Sequence, residues 1–124
     1  MFKIELNGEE ASIAALTDLV IMDNVECLSI TDSQLDDTDI SALAGMDGSL
    51  KNLDLSGNEI RDISVLVTHT DLVSLNLSNN SIDDIGALVL LTKLKDLDLR
   101  GNPVDAKQLD KIRRKLPNTT ILTD

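Results

Sequence analysis

Apolar positions recur along the chain at a fixed interval of 22 residues. The stretch LKNLDLSGNEIRDISVL begins at Leu50, LVSLNLSNNSIDDIGAL begins at Leu72, and LKDLDLRGNPV begins at Leu94. Each unit reads apolar-x-x-apolar-x-apolar-x-x-Asn-x-apolar. VECLSITDSQL, which begins at Val25, fits this pattern except that Ser33 replaces the asparagine. A self-similar period of this length predicts a solenoid of stacked units.

Each unit is predicted to contain one short strand followed by a helical turn. Alternation of apolar and polar positions indicates half-buried strands at LSI, LDL, LNL and LDL, which begin at Leu28, Leu53, Leu75 and Leu97. Since one unit cannot bury its leucines alone, the strands should stack in parallel. The later apolar residues of a unit, such as Ile60, Ile63 and Leu66, are three apart, which suits a short helical turn on the outer face.

The asparagine of each unit is expected to have a structural role. Asn58, Asn80 and Asn102 should lie one above the next in the stack. A side-chain amide has two donor hydrogens and an acceptor oxygen, so it can satisfy backbone groups where the chain leaves the strand. We therefore predict an asparagine ladder.

Aspartates precede the predicted helical turns. Asp39, Asp62 and Asp84 each come directly before an inward-facing isoleucine, and Asp105 opens the last helix. Aspartate is a preferred N-cap residue, so these four are predicted to be N-caps. Asp105 and Gln108 also have the spacing of a capping box.

The two ends of the chain differ from the repeats. At the front, Ile4 and Leu6 resemble the strand of a degenerate unit, and the following segment places Ile13, Leu16 and Val20 at helical spacing. At the back, AKQLDKIRRKL is predicted to be a helix that buries Leu109, Ile112 and Leu116, ends at Pro117 and leads into a last strand within 118–122. The chain is therefore divided into an N-terminal strand-helix cap (1–24), repeats (25–49, 50–71, 72–93), and a last repeat with its helix-strand cap (94–124), all in a single domain (1–124).

The repeated unit resembles a known family. LxxLxLxxNxIxDIxxLxx is similar to the 22-residue leucine-rich repeat of bacterial internalins and of phosphatase-regulating relatives, closely over residues 25–124 and loosely over 1–24. The resemblance implies an α/β fold: a short right-handed arc with a parallel concave sheet, helical turns on the convex side and helical caps at both ends. Members of the family mostly bind proteins through the concave sheet and are rarely enzymes. A protein partner and a non-enzymatic role are therefore implied.

The repeat pattern identifies the side chains expected on the concave face. The outward strand positions are Cys27, Ser29 and Thr31 in the first repeat, followed by Asn52, Asp54, Ser56, Ser74, Asn76, Ser78, Asp96, Asp98 and Arg100. This strip is small, polar and acidic. Protein interfaces owe most of their affinity to Trp, Tyr and Arg, and only Arg100 belongs to that group. The strip therefore suits a weakly bound polar partner.

The charge of the chain is unevenly distributed. The formal net charge is −11, and eleven acids but only one base, Lys3, fall within residues 1–50, which are net −10. A nucleic-acid-binding domain should present a net basic face, so a nucleic-acid partner is not expected. The acidic residues are interpreted as solubilising charge.

Five of the eleven bases lie on the predicted C-terminal helix, at Lys107, Lys111, Arg113, Arg114 and Lys115. The patch is small for a membrane or nucleic-acid site. Cations toward the C-terminal end of a helix also complement its dipole. The helix is therefore interpreted as a solubilising cap, and membrane insertion is not expected.

Neither a metal site nor a cofactor site is predicted. The acidic run at Asp36, Asp37 and Asp39 fails the calcium-loop template, because position six counted from Asp32 is Asp37 instead of glycine, and position twelve is Leu43 instead of glutamate. These acids are assigned to capping and solvation.

Catalytic chemistry has little support in the sequence. His69 is predicted to be an exposed loop residue, without a nucleophile at any recognised spacing. Cys27, the one cysteine, is predicted to be a partly exposed and inert thiol, since its surroundings are acidic. Asp54, Asp96 and Asp98 are expected to stack on neighbouring strands, where mutual repulsion could raise a carboxylate pKa, but the solvation of an open sheet weakens this effect and the case for acid–base chemistry.

The leading hypothesis is a non-catalytic module that binds a protein through its concave face. The alternative is a structural or assembly element, or a fragment of a larger bacterial protein, that self-associates through its ends. A monomer or weak dimer is expected. The N-terminus lacks the pattern of a signal peptide and no apolar run reaches membrane length, so the default location is cytoplasmic, or extracellular if the chain is a fragment.

Overall fold

Each turn of the solenoid contributes one strand to a single parallel sheet. The structure is a computed structural model that describes residues 2–7, 24–46 and 48–124. Its six strands lie in sequence order: β1 Phe2–Asn7, β2 Val25–Thr31, β3 Asn52–Asp54, β4 Ser74–Asn76, β5 Asp96–Asp98 and β6 Thr120–Leu122. The solenoid with a parallel sheet that the 22-residue period predicts is therefore confirmed.

The strand register places the alternating leucines in one row of the core. Leu28, Leu53, Leu75 and Leu97 pair in turn across β2 to β5, and Ile121 of β6 continues the row. Each of the four leucines is at most 2% exposed. Burying a leucine side chain stabilises a fold by about 1.5–3 kcal/mol. β1 pairs with β2 in parallel, and Ile4 is the register partner of Leu28.

Short helical turns cover the convex side. They are three 3₁₀ helices, η1 Ser41–Gly45, η2 Ser64–Thr68 and η3 Gly86–Leu90, and one short α-helix, α1 Asp37–Ile40, which precedes η1. A three-residue apolar spacing matches the three-residue period of a 3₁₀ helix, and Ile63 and Leu66 are both buried. The first repeat is three residues longer than the second, and two of the additional residues fall between Leu35 and Ile40, where α1 forms.

The asparagine of each unit bonds to two units at once. Asn58 Nδ2 donates to the carbonyl oxygens of Ile30 and Leu55, both at 2.8 Å, and its Oδ1 accepts from the N–H of Leu35 at 3.0 Å. Asn80 makes the equivalent bonds one unit later, at 3.0–3.1 Å. Asn102 also donates to the carbonyl oxygens of two successive units. Each amide thus ties its own strand end to the preceding unit.

The residue before each ladder position has a left-handed backbone. These residues are Asp32, Gly57, Asn79 and Gly101, with φ between 51° and 75°. The two glycines lie beneath larger neighbours: a Cβ at Gly57 would collide with the carboxylate of Asp32, and one at Gly101 would collide with the amide of Asn79. Small and large residues therefore alternate along this edge of the solenoid.

The aspartates bond to backbone N–H groups near the start of the helical turns. Asp105 is an N-cap as predicted, but the N-cap prediction is wrong for Asp39, Asp62 and Asp84. Asp36 is the N-cap of α1, and Asp39 completes its capping box from the third helical position. Asp62 and Asp84 stand one residue before the N-cap and accept from the N–H two residues further on, at 2.9 Å. At these two 3₁₀ helices, the bond that the aspartate accepts from the N–H two residues further on takes the place of a bond to the N-cap side chain.

The C-terminal helix, α2 Ala106–Lys115, begins as predicted but uses Gln108 differently. Asp105 is its N-cap and accepts from the N–H of Gln108 at 2.9 Å. The Gln108 side chain does not complete the capping box. Instead, its Oε1 accepts from the N–H of Ile85 at 2.9 Å, and its Nε2 donates to the carbonyl oxygen of Asp83 at 2.6 Å. Gln108 therefore ties α2 to the preceding unit.

The apolar face of α2 closes the C-terminal end of the core. Ile112 and Leu116 are buried, and Leu109 is partly buried against the core. The helix ends just before Pro117, and the chain turns into β6. The predicted N-terminal helix over Ile13, Leu16 and Val20 lies outside the described residues.

The prediction that His69 is an exposed loop residue is wrong. Its side chain is 0% exposed, and its Nε2 donates to the carbonyl oxygen of Leu43 at 2.9 Å. His69 ends η2, just as Met46 and Leu91 end η1 and η3, and both of those residues are also buried. Because the turns stack, the residue that ends each turn points into the core.

Candidate functional site

The concave face consists of side chains that the register aligns in rows across the sheet. The first row contains Cys27, Asn52, Ser74, Asp96 and Thr120. The second contains Ser29, Asp54, Asn76, Asp98 and Leu122. Thr31, Ser56, Ser78 and Arg100 follow two residues later in their units and form a third row at the strand ends. These rows are called the concave face below.

Most polar side chains of the second row already form hydrogen bonds within the protein. Asp54 Oδ1 accepts from the N–H of Ser56 at 2.9 Å. Asn76 Oδ1 accepts from both the N–H and the hydroxyl of Ser78, at 3.0 and 2.8 Å. These bonds lie at the ends of the strands. The polar groups of Asp54 and Asn76 are therefore partly occupied by hydrogen bonds within the fold.

Asp98 and Arg100 form the one strong ion pair on this face within the described residues. Arg100 Nε donates to Asp98 Oδ1 at 3.0 Å, and its terminal nitrogen donates to Oδ2 at 2.7 Å. The Asp98 side chain is 12% exposed. The side-chain bond from Arg100 lowers the pKa of Asp98 below its usual value, although partial burial opposes the shift.

The expectation that stacked carboxylates raise one another's pKa is therefore wrong for Asp98. Asn76 lies between Asp54 and Asp98 in the row, so the two acids are not on adjacent strands. Asp96 and Asp98 are both on β5, but the guanidinium of Arg100 compensates the charge of Asp98. Asp98 is therefore not a carboxyl group that a neighbouring acid keeps protonated.

The concave face has a depression at its C-terminal end. It has a volume of about 170 Å³ and lies between β4, β5 and β6, and its rim includes Ser74, Asp96, Thr120 and Leu122. Leu122 is 45% exposed and is one of two large apolar side chains exposed in the described part of the chain. The repeat pattern did not place Thr120 and Leu122 on this face, because β6 comes from a segment that keeps only the start of the repeat.

Cys27 is half-buried at the other end of the first row. Asn52 Nδ2 donates to its sulfur at 3.3 Å, and no basic side chain bonds to it in the described residues. A reactive thiol requires a stabilising positive neighbour.

A second depression, of about 600 Å³, lies on the side where the helical turns begin. It is lined by Asp37, Arg61, Asp62, Ile63, Ser64, Asp83, Asp84, Gly86 and Ala87. Three of its carboxylates bond to the backbone: Asp37 Oδ1 accepts from two N–H groups of the next unit, Asp62 accepts from the N–H of Ser64, and Asp84 accepts from the N–H of Gly86. The bond from the Ser64 N–H lowers the pKa of Asp62. We regard this depression as the seam between turns.

Two further properties bear on the kind of site. In the described ranges, no group of three or more His, Cys, Asp or Glu side chains is arranged to hold a metal ion. None of the described helices is long and apolar enough to cross a bilayer.

Comparison with known proteins relates part of the chain to a known family. Residues 49–104 match the family model described as Leucine rich repeat. Together with the stacked parallel strands, this match supports the resemblance of the chain to leucine-rich repeat proteins that its sequence implied. Repeat folds of this kind present extended concave surfaces for binding and typically serve protein interaction.

Among solved structures, the chain is similar to internalins. An internalin of Listeria monocytogenes, inlF, is 27% identical with a TM-score of 0.68, and the match covers 90% of this chain and 31% of that chain. Internalin C2 of the same species is 22% identical with a TM-score of 0.55, and the match covers 88% of this chain and 66% of that one.

The similarity extends to a leucine-rich repeat protein of Leptospira interrogans. That protein is 23% identical with a TM-score of 0.70, and the match covers 85% of this chain and 27% of that chain. The chain thus spans about a third or less of the first two structures. No curated protein matches the sequence.

Proposed function

We propose that the chain is a non-catalytic protein-interaction module that binds a polypeptide through its concave face, with the depression at β4–β6 as the centre of contact. The observation that carries this proposal is the exposed Leu122 beside polar side chains. A protein partner can bury the leucine and bond to the polar groups around it. Partly apolar patches with a polar rim are typical of protein interfaces.

The distribution of free polar groups supports this end of the face. Asp96 of β5 and Thr120 of β6 are exposed in the first row, whereas Ser78 is buried and Asp54 and Asn76 bond to their own strands. Arg100 is exposed but paired with Asp98. A partner that contacts β5 and β6 therefore meets unoccupied polar groups and the leucine, whereas a partner centred on β3 meets mostly occupied ones.

The two exposed leucines provide a matched test. Leu122 lies on the concave face, and Leu90 lies on the convex side at the end of η3, where it is 57% exposed. Wild-type protein, Leu122→Asp and Leu90→Asp would each be immobilised and exposed to lysate of the native host. Retained proteins would then be quantified by mass spectrometry.

We expect at least one host protein to be retained by wild type and Leu90→Asp, and reduced about tenfold or more by Leu122→Asp. Loss of a buried leucine contact corresponds to that factor in affinity. The same partner should be reduced by Asp96→Arg, which places a large cation on the rim. Equal retention by Leu122→Asp and wild type would refute concave binding at this end of the sheet.

A further inference from the structure

The outer face of α2 carries an unpaired basic stripe. Lys107, Lys111, Arg114 and Lys115 are spaced by four, three and one residues, so they share one side of the helix. All four are exposed, and in the described part of the chain none forms an ion pair. Arg113 points elsewhere and bonds to the hydroxyl of Thr123 at 3.3 Å.

Complementing the helix dipole does not account for this stripe. Cations stabilise the C-terminal end of a helix and are unfavourable at its N-terminal end. Lys107 lies in the first turn of α2, which contains no acidic residue. The stripe therefore includes a position that the stability of the helix alone disfavours.

The part of the first repeat that follows β2 carries the complementary charge. Asp32, Asp36, Asp37 and Asp39 lie between β2 and η1, and none of them is fully buried. Their recorded side-chain bonds go to backbone N–H groups, and among the described residues none of the four is paired with a base. This group is called the acidic first unit below.

The two surfaces cannot neutralise each other within one molecule. The acidic first unit follows β2 and the stripe follows β5, so three strand spacings, at least about 14 Å, separate them. Charges on a protein surface are screened over about 8–10 Å at ordinary salt. Each surface is thus open to a partner of opposite charge.

We propose that the basic stripe of α2 docks on the acidic first unit of a second copy of this chain, so that copies associate head to tail. Charge complementarity between these two surfaces selects this occupant. The net charge of −11 opposes a nucleic acid or an anionic membrane over the whole surface. Between two copies, the distant like charges are screened and the contacting opposite charges remain.

A head-to-tail contact is heterologous, so it does not close at a dimer. In sedimentation velocity at about 0.1 M salt, the average mass of wild type should rise with concentration beyond that of a dimer. At about 1 M salt the dissociation constant should increase at least about tenfold, because screening then acts over about 3 Å.

Two variants remove one half of the contact each. Lys111→Gln with Arg114→Gln removes two charges from the stripe, and Lys93→Gln with Lys95→Gln removes two bases from another part of the surface as a matched control. Asp36→Asn, Asp37→Asn and Asp39→Asn together remove three charges but keep an oxygen acceptor at each capping position. Circular dichroism verifies that each variant is folded.

The stripe variant and the acidic variant should each sediment as monomers, whereas the Lys93 and Lys95 control should behave as wild type. An equimolar mixture of the two interface variants should form one-to-one dimers and nothing larger, because each supplies the half that the other lacks. Monomeric wild type at every concentration, association unaffected by salt, or a dimer that survives in both variants would overturn the proposal. Tighter binding of the stripe to a short polyanion than to a second copy would also overturn it.

Discussion

At the residue scale, the asparagine ladder has a measurable stabilising effect. Asn80 is buried and satisfies two carbonyl oxygens and one N–H from two units. Asn80→Ala should lower the free energy of unfolding by about 1–3 kcal/mol, because it leaves buried backbone groups without partners. Urea denaturation measures this change.

The control for this prediction is Asn52→Ala, on the exposed first row of the concave face. Among the described residues, the Asn52 side chain bonds only to the sulfur of Cys27, at 3.3 Å. Its replacement should change the stability by no more than about 0.5 kcal/mol, as for ordinary surface sites. Equal losses in both variants would show that the ladder is not specifically stabilising.

A second prediction at this scale concerns the left-handed backbone of Gly57. Its φ of 73° disfavours a side chain, and a Cβ there would collide with the carboxylate of Asp32. Gly57→Ala should therefore destabilise the fold by about 1–3 kcal/mol in thermal or urea unfolding. Adding Asp32→Gly should restore part of the loss by removing the collision. If the double variant is no more stable than Gly57→Ala alone, the alternation of large and small residues is not the cause.

At the element scale, the position of α2 depends on its first turn. Asp105 caps the helix through the N–H of Gln108, whose side chain bonds to the preceding unit. Asp105→Ala should cost about 0.5–2 kcal/mol of stability in urea unfolding. Asp110→Ala, which removes an exposed acid from the middle of the same helix, should cost less. A larger loss at Asp110 would contradict the capping role.

The helical turns show where repeat periodicity is a better guide than residue type. His69 is a polar residue in a connecting segment, which favours an exposed position. Counting 22 residues onward from His69 reaches Leu91, a core residue, and that comparison alone would have predicted the burial of His69. Gln108 could not be assigned in the same way, since none of the described repeats before it has a counterpart of α2.

At the scale of the whole molecule, the sequence was sufficient to predict the parallel solenoid and the row of buried leucines. Both follow from a strict spacing of apolar residues, which tolerates little ambiguity. The concave face was less predictable. Thr120 and Leu122 lie on this face because β6, which comes from a degenerate last unit, pairs with β5. The side chains of Asp54, Asn76 and Asp98 each accept a hydrogen bond from the backbone N–H two residues further on. Local hydrogen bonds decide which outward-facing side chains remain free to bind a partner, and a repeat pattern does not show these bonds.

The dependence of stability on pH is the last property of the whole molecule to be argued. The pKa values of three carboxyls are lowered in the fold: that of Asp98 by Arg100, that of Asp71 by Lys93, and that of Asp62 by Ser64. A carboxyl whose folded pKa lies below its unfolded value contributes stability above the unfolded value, and this contribution is lost as the pH falls through the folded value. The stability of the wild type should therefore decline below about pH 4.

The contribution of Asp98 can be isolated with a matched pair of variants. Asp98→Asn should be less stable than wild type near neutral pH, because it loses the ion pair with Arg100 but keeps an oxygen for the backbone bond. The difference should disappear at about pH 2, where the wild-type carboxyl is also protonated. Asp96→Asn makes the same change in net charge on the same strand, at a side chain without a bond in the described structure, and should show no loss at neutral pH. Thermal unfolding of the three proteins across this pH range measures both differences. A gap between wild type and Asp98→Asn that stays constant down to about pH 2 would mean that the ion pair is not its source.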